Sequence, residues 1–195
     1  MASTLPLTQL EKDLREKVAV SCRIIGNRNV TRGALGHVSA RVPGTDRILI
    51  KPQHSLRIRS QDRITADDIV VIDLDGNLVD GRDRPPGERF IHTRIYRARP
   101  DVGSVVHTHQ KMAKAFGIAE REILPLLHIQ SKIVAKPIPV FSSAAFVSTS
   151  ERARLLATTL GDHYVCHLRN HGVIVVGKDV EEATVNTISL EQLAE

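Results

Sequence analysis

Apolar positions along this chain recur at two spacings, and the switches between them mark the elements. Leu7, Leu10, Leu14, Val18 and Cys22 or Ile25 form a stripe at helical spacing. Residues 5–25 therefore read as a helix, with Pro6 in its first turn and Gly26-Asn27 at its end. Period-two runs follow: 38–42, ended by Pro43-Gly44, then 47–50, then 69–74. Thr65 opens a short helical turn just before the third run, and Asp75-Gly76 signals a hairpin with 77–79 returning. A helical run extends from Glu88 to Arg99, and a turn at 100–103 leads into a strand at 104–109. Residues 111–116 read as a short helix ending at Gly117, and 124–128 as irregular or briefly helical. Ile133-Val134 and 138–140 are short strand candidates separated by Pro137, and proline argues for an edge position. A capping box at Ser148-Thr149-Ser150-Glu151 starts an amphipathic helix to Leu160. Strands at 164–168 and 173–177 flank a tight Arg169-Asn170-His171-Gly172 connection. A second capping box at 179–182 opens a last helix running almost to Glu195. Short strands interrupted by helices, without strict βαβ alternation, predict an α/β protein: one domain over residues 1–195, with a mixed sheet and helices outside it.

Composition narrows the partners. A chain of 195 residues can bury a full core, and few aromatics mean a core of Val, Ile, Leu and Ala. The net charge of +5 comes with Arg interleaved among Asp and Glu, with no basic tail. That argues against a nucleic-acid partner and suits an anionic small-molecule substrate. The two cysteines, Cys22 and Cys166, lack metal or redox spacing and suit a reducing, cytoplasmic location. No signal-peptide pattern and no membrane-length apolar run is present.

Candidate chemistry concentrates between Glu88 and His109. His107 and His109 are two apart on a strand, so both imidazoles share a face and one metal can accept both. Glu88 can supply a carboxylate, and His171, at the R-N-H-G turn, a third imidazole. H-x-H alone is common in ordinary strands, so the motif gains meaning only from these neighbours. His92 lies one helical turn from Glu88, either facing the same cleft or on the helix surface. Gly36, His37 and Ser39 stand in a Gly-rich loop entering a strand. Its backbone N–H groups can hold a carboxylate or phosphate oxygen, or the loop is a plain connection. Lys51, His54 and Arg57 either face a ligand or are solvated.

Taken in order, Gly36-His37-Val38-Ser39, the 67–76 run, Glu88 through Val102, His107-Thr108-His109 and Arg169-Asn170-His171-Gly172-Val173 resemble the class II aldolase/adducin N-terminal family over nearly the whole chain. The resemblance implies a three-layer α/β/α sandwich with a central mixed, mostly antiparallel sheet. It implies a homotetramer with sites near subunit interfaces. It also implies a divalent metal held by His107, His109 and His171, with Glu88 as acid/base or ligand. Zn2+ satisfies three imidazoles; Mn2+ fits if Glu88 or substrate oxygens complete the shell. The family's sugar-phosphate aldolases carry G-N-x-S where His37 stands here. They also have two serines where Pro86 and Gly87 stand, so a pair of phosphate-holding hydroxyls is lost. Aldolase relatives often carry a C-terminal tail with a tyrosine, which these residues do not include. The G-H-V-S and E-R-F-I-H segments look more like the aromatic-acid decarboxylase branch, acting on hydroxylated phthalates and a hydroxypyridine dicarboxylate. The expectation is a metal-dependent C–C lyase, a decarboxylase of a hydroxylated aromatic acid. In this reading Glu88 and His92 are catalytic, and Gly36, His37, Ser39 and Lys51 bind substrate. The alternatives are an aldolase, a non-catalytic adducin-like interaction module, and an Fe2+ oxygenase on the same fold.

Overall fold

The computed structural model describes residues 8–28, 30–126 and 131–195. The expected helix start at 5–7 and the end of the 124–128 segment lie outside them. Eight strands form one sheet: β1 His37–Arg41, β2 Ile48–Ile50, β3 Val70–Ile72, β4 Leu78–Asp80, β5 Ser104–Thr108, β6 Val140–Phe141, β7 Val165–Leu168 and β8 Gly172–Gly177. Their order is β4-β3-β2-β1-β5-β8-β7-β6. Every pairing is antiparallel except β6 with β7, so the sheet is mixed and mostly antiparallel as expected. The proline-flanked β6 sits at the sheet edge.

Helices α1 Gln9–Asn27, α3 Lys111–Ala119 and α5 Val180–Ala194 cover one face. Helices α2 Arg89–Ala98 and α4 Ser150–Leu160 pack on each other across the opposite face. This is the three-layer sandwich. Alternation along β5 shows how it is built: Val105 and His107 point to the α2/α4 side, while Val106 joins the α1 side. Both faces of the central strands are buried, so their apolar runs are nearly continuous.

Local chemistry sets the helix ends. Thr8 and Glu11 form a reciprocal capping box on α1. Thr149, rather than Ser148, caps α4, and Asp179 caps α5. On α1 the stripe is Val18, Cys22 and Ile25, while Leu10 is exposed. Glu11 and Arg15 are buried instead, through ion pairs with Arg47 and Asp80.

Two expectations are corrected. Ile133-Val134 is part of a 3-10 turn, Ser131–Val134, not a strand. Both side chains are buried in one cluster, which a pleated strand, turning alternate residues to opposite faces, would not allow. Helix α3 also runs through Gly117 instead of stopping there. A Cβ on Gly117 would lie 2.8 Å from the His167 ring, so this glycine serves a close approach between α3 and β7.

Candidate active site

The three central strands deliver the site. His37, the first residue of β1, stands opposite His107 of β5 in register. His109 follows β5 by one residue, and the β7–β8 turn brings His171 to the same place. That turn needs two backbone concessions. Asn170 adopts φ 59°, and Gly172 lies where a Cβ would be 2.4 Å from the Thr108 carbonyl oxygen. A side chain at 172 would push His171 away from His107 and His109.

The rings of His107, His109 and His171 form a triangle with centroids 4.8 to 5.0 Å apart. One ligand nitrogen from each lies within 4.8 Å of the others. His107 Nδ1 is 3.0 Å from the Val173 carbonyl oxygen, which can only accept. The proton therefore sits on Nδ1, and the Nε2 lone pair faces inward. That Nε2 is buried with no hydrogen-bond partner. Fixing the second nitrogen on a carbonyl is how ligating histidines are oriented.

Glu88 comes from the helical layer that covers this face. It is the N-cap residue of α2, but its carboxylate does not cap its own helix. It turns inward, with Oε1 accepting the Val147 N–H at 3.3 Å. Oε2 lies 3.4 Å from His107 Nε2, 3.7 Å from His171 Nε2 and 3.9 Å from His37 Nε2. A carboxylate oxygen and an imidazole lone pair facing each other at that distance call for a positive charge between them. The donor set therefore fits a divalent cation, which would be held by His107, His109 and His171 with Glu88 in reach. Burial and neighbouring imidazoles push His109 down to about 3; burial and His107 also lower His171. Both are neutral at physiological pH and ready to ligate. Burial raises the Glu88 carboxyl, but its contacts with His107 and His171 and the Val147 N–H outweigh that and hold it below the usual carboxylate range, so Glu88 is ionised.

Behind His37 runs a buried hydrogen-bonded chain. His37 Nδ1 meets His92 Nε2 at 2.6 Å, His92 Nδ1 meets Ser39 Oγ at 2.6 Å, and Ser39 Oγ meets Tyr96 OH at 2.7 Å. His92 and Ser39 are fully buried, and burial pushes His92 down to about 3. Neither residue lines the cavity. The sequence reading left His92 either in the cleft or on the helix surface, and Ser39 in a loop that either holds a ligand oxygen or is a plain connection; both are buried behind His37, and their hydrogen bonds fix its ring orientation and tautomer. Tyr96 was not foreseen, although its spacing from His92 on α2 puts both on one helix face.

Above the cluster opens a cavity of about 730 Å³. Its lining includes Gly36, His37, Lys51, Glu88, His109 and His171, which the sequence reading named. Arg32, Lys111, Lys114, Leu35 and Phe146 also line it. None of these stands in a motif, so no signal in one sequence marks them. Pro86 and Gly87 form part of the wall and offer no hydroxyl. Leu35 and Phe146 are half exposed there, and the Phe146 ring lies 6.1 Å from that of His171.

A mixed-sheet α/β/α sandwich with a His/Glu cluster gathered at the ends of its central strands and the start of α2 defines the class, and the chain belongs to the Class II Aldolase and Adducin N-terminal domain family, which matches residues 16–195. It is 32% identical over 192 residues to a 3,4-dihydroxyphthalate decarboxylase of Arthrobacter keyseri, covering 92% of this chain and 75% of that protein. It is 33% identical over 175 residues to an L-fuculose phosphate aldolase of Methanocaldococcus jannaschii, covering 89% of each. Among solved structures, an aldolase II superfamily protein from Pseudomonas syringae superposes with a TM-score of 0.84 at 29% identity, covering 96% of this chain and 74% of that one.

Proposed function

We propose that this protein is a metal-dependent carbon–carbon lyase that decarboxylates a hydroxylated aromatic acid. The observation that carries the reading is the His107/His109/His171/Glu88 cluster on the floor of a cavity walled by cations and apolar side chains. Further support comes from the decarboxylase relative, and from Pro86 and Gly87 in the wall, which leave no side-chain hydroxyls beside Glu88 for a phosphate.

A Zn2+ or Mn2+ ion held by His107, His109 and His171 would supply Lewis acidity for the charge left behind when the C–C bond breaks. The protein's residues then do the following. Glu88, ionised beforehand, takes the proton of the substrate hydroxyl. The carboxyl group ortho to that oxygen leaves as carbon dioxide, and the electron pair of the broken bond enters the ring. Glu88 returns its proton to the ring carbon. His37, oriented by His92, Ser39 and Tyr96, fixes the substrate beside Glu88. Leu35 and Phe146 cover the planar ring at the cavity mouth.

In this reading residues 1–195 form one domain and the assembly is a homotetramer working in the cytoplasm. Among the described residues, no helix is long and apolar enough to cross a membrane.

The fuculose phosphate aldolase relatives favour a second reading, aldol cleavage of a sugar phosphate. The test measures carbon dioxide release from 3,4-dihydroxyphthalate beside aldehyde release from L-fuculose phosphate, with Zn2+ or Mn2+ restored. Carbon dioxide release at the higher kcat/KM is expected. Faster cleavage of the sugar phosphate would replace the decarboxylase reading with the aldolase one.

A further inference from the structure

Two groups of donor atoms within 4.8 Å of one another occur among the described residues, His107/His109/His171 and His37/Glu88/His107. They cannot both hold an ion. His107 Nδ1 donates to the Val173 carbonyl, so only its Nε2 is free, and one lone pair serves one metal. The two groups are therefore rival positions for one cation, and His37 decides between them. A ring nitrogen that carries a hydrogen is no ligand, so the protonated nitrogen of His37 settles the matter.

The buried chain behind His37 identifies that nitrogen, taken from its far end. Tyr96, Ser39 and His92 are at most 1% exposed. The buried Tyr96 hydroxyl needs an acceptor, and Ser39 Oγ at 2.7 Å is the one it has among the described residues. The Val105 backbone also reaches the phenol, but that contact favours the phenolate, which is the action of a donor. Having accepted from Tyr96, Ser39 has one hydrogen to give. His92 Nδ1 stands at 2.6 Å and the Val105 carbonyl oxygen at 3.5 Å, beyond the ordinary O–H···O range, so the hydrogen goes to His92. Burial keeps His92 neutral, and its single proton then sits on Nε2. That N–H donates to His37 Nδ1 at 2.6 Å. The proton of His37 is left on Nε2, the atom that faces Glu88 Oε2 at 3.9 Å. His107 is the opposite case: its Nδ1 meets a carbonyl, and its Nε2 is bare.

We propose that His92, directed by Ser39 and Tyr96, is a positioning residue that locks His37 in its Nε2–H form. The lock closes the His37/Glu88/His107 position and reserves the metal for His107, His109 and His171. The inference rests on the metal reading above and holds for either C–C cleavage. The opposing account makes the chain core packing alone, with no influence on where the metal sits.

The test reads the tautomers directly, by long-range proton–nitrogen correlation NMR of the histidine rings in metal-free and Zn2+-loaded protein. His37 and His92 are both expected to carry hydrogen on Nε2 in each state. A hydrogen on Nδ1 alone in either ring would overturn the proposal, and so would Zn2+ on His37 in the parent. The second arm measures Zn2+ affinity by titration calorimetry. In His92→Gln the amide can turn either an N–H or an oxygen to His37 Nδ1, which releases the lock while keeping a hydrogen bond. His171→Ala alone should bind Zn2+ weakly. Adding His92→Gln to His171→Ala should recover roughly 10-fold or more in affinity, the size of one buried hydrogen bond. The NMR spectrum should then show His37 ligating through Nε2. Core packing alone predicts no recovery or a further loss, and either result would overturn the proposal. If the double variant does not fold, the parent spectra decide. A parent that binds no Zn2+ would end the metal reading, while the tautomers of the metal-free protein would still decide the lock.

Discussion

Glu88 Oε2 is within 4 Å of three imidazole nitrogens, and in the proposed reaction its charge either holds the metal or moves a proton. Glu88→Gln separates the two. The amide keeps the shape and one acceptor oxygen but takes up no proton in the working pH range. If Glu88 moves the proton, the variant should keep near-parental metal content and lose roughly 100- to 10,000-fold in rate. Joint loss of metal and activity would make it a ligand, and near-parental turnover with full metal would assign the proton to another group. His171 is partly exposed, and the Asn170–Gly172 turn holds it in place. Elemental analysis of His171→Ala should show strongly reduced metal occupancy; full retention would remove His171 from the ligand set. The positions of these residues were legible because H-x-H on a strand and R-N-H-G between two strands are backbone-dictated. The lining cations and Phe146 were not, since their meaning comes from which loops meet over the sheet.

At the scale of elements, the contact of α3 with β7 carries a buried charge problem. His167 is nearly fully buried, its two ring nitrogens have no hydrogen-bond partner, and Gly117 lies against its ring. Burial pushes its pKa down to about 4 from the ordinary 6.5. Above 6.5 the residue is neutral in both folded and unfolded chains and contributes no pH dependence. Between 6.5 and about 4 the unfolded chain binds a proton that the folded one refuses, so stability falls as pH falls. The slope from this group reaches at most about 1.4 kcal/mol per pH unit. His167→Leu should therefore flatten the acid limb of the stability curve by up to that amount per unit. It should not destabilise the protein at pH 7.5, because no hydrogen bond is lost. Urea unfolding of parent and variant at pH 7.5 and 5 measures both; equal pH dependence in the two would refute the account. The sequence marked 164–168 as a strand from its alternation, but Gly117 read as a stop because only the facing ring explains it. The same limit produced the strand assigned to Ile133-Val134, where the reason for burial is tertiary.

For the whole molecule, the three-layer order and mixed sheet were readable from the alternation of short strands with capped helices and from the motif resemblance. Assembly was not, because a monomer's stripe and an interface stripe look alike along one helix. The structure places apolar side chains where a monomer has no use for them. Between α1 and α5 lies a groove of about 470 Å³ lined by Val20, Ile24, Val185 and Ile188, with Val20, Ile24 and Val185 exposed. Leu10 on α1 is also half exposed. Contiguous apolar surface of this kind marks an association face more often than a solvated one. Charged residues flank it: Asp13, Glu16 and Lys17 on α1 and Glu181 on α5, with Lys17 and Glu181 paired at 2.7 Å. An apolar strip with a charged rim is the common anatomy of a subunit contact. The expected outcome is a light-scattering mass of four chains at micromolar concentration. Val185→Glu, placed on the most exposed of these side chains, should shift the mass downward while leaving the circular dichroism of the fold intact. A parent mass of one chain would end the tetramer reading, and a Val185→Glu tetramer would move the contact to another face.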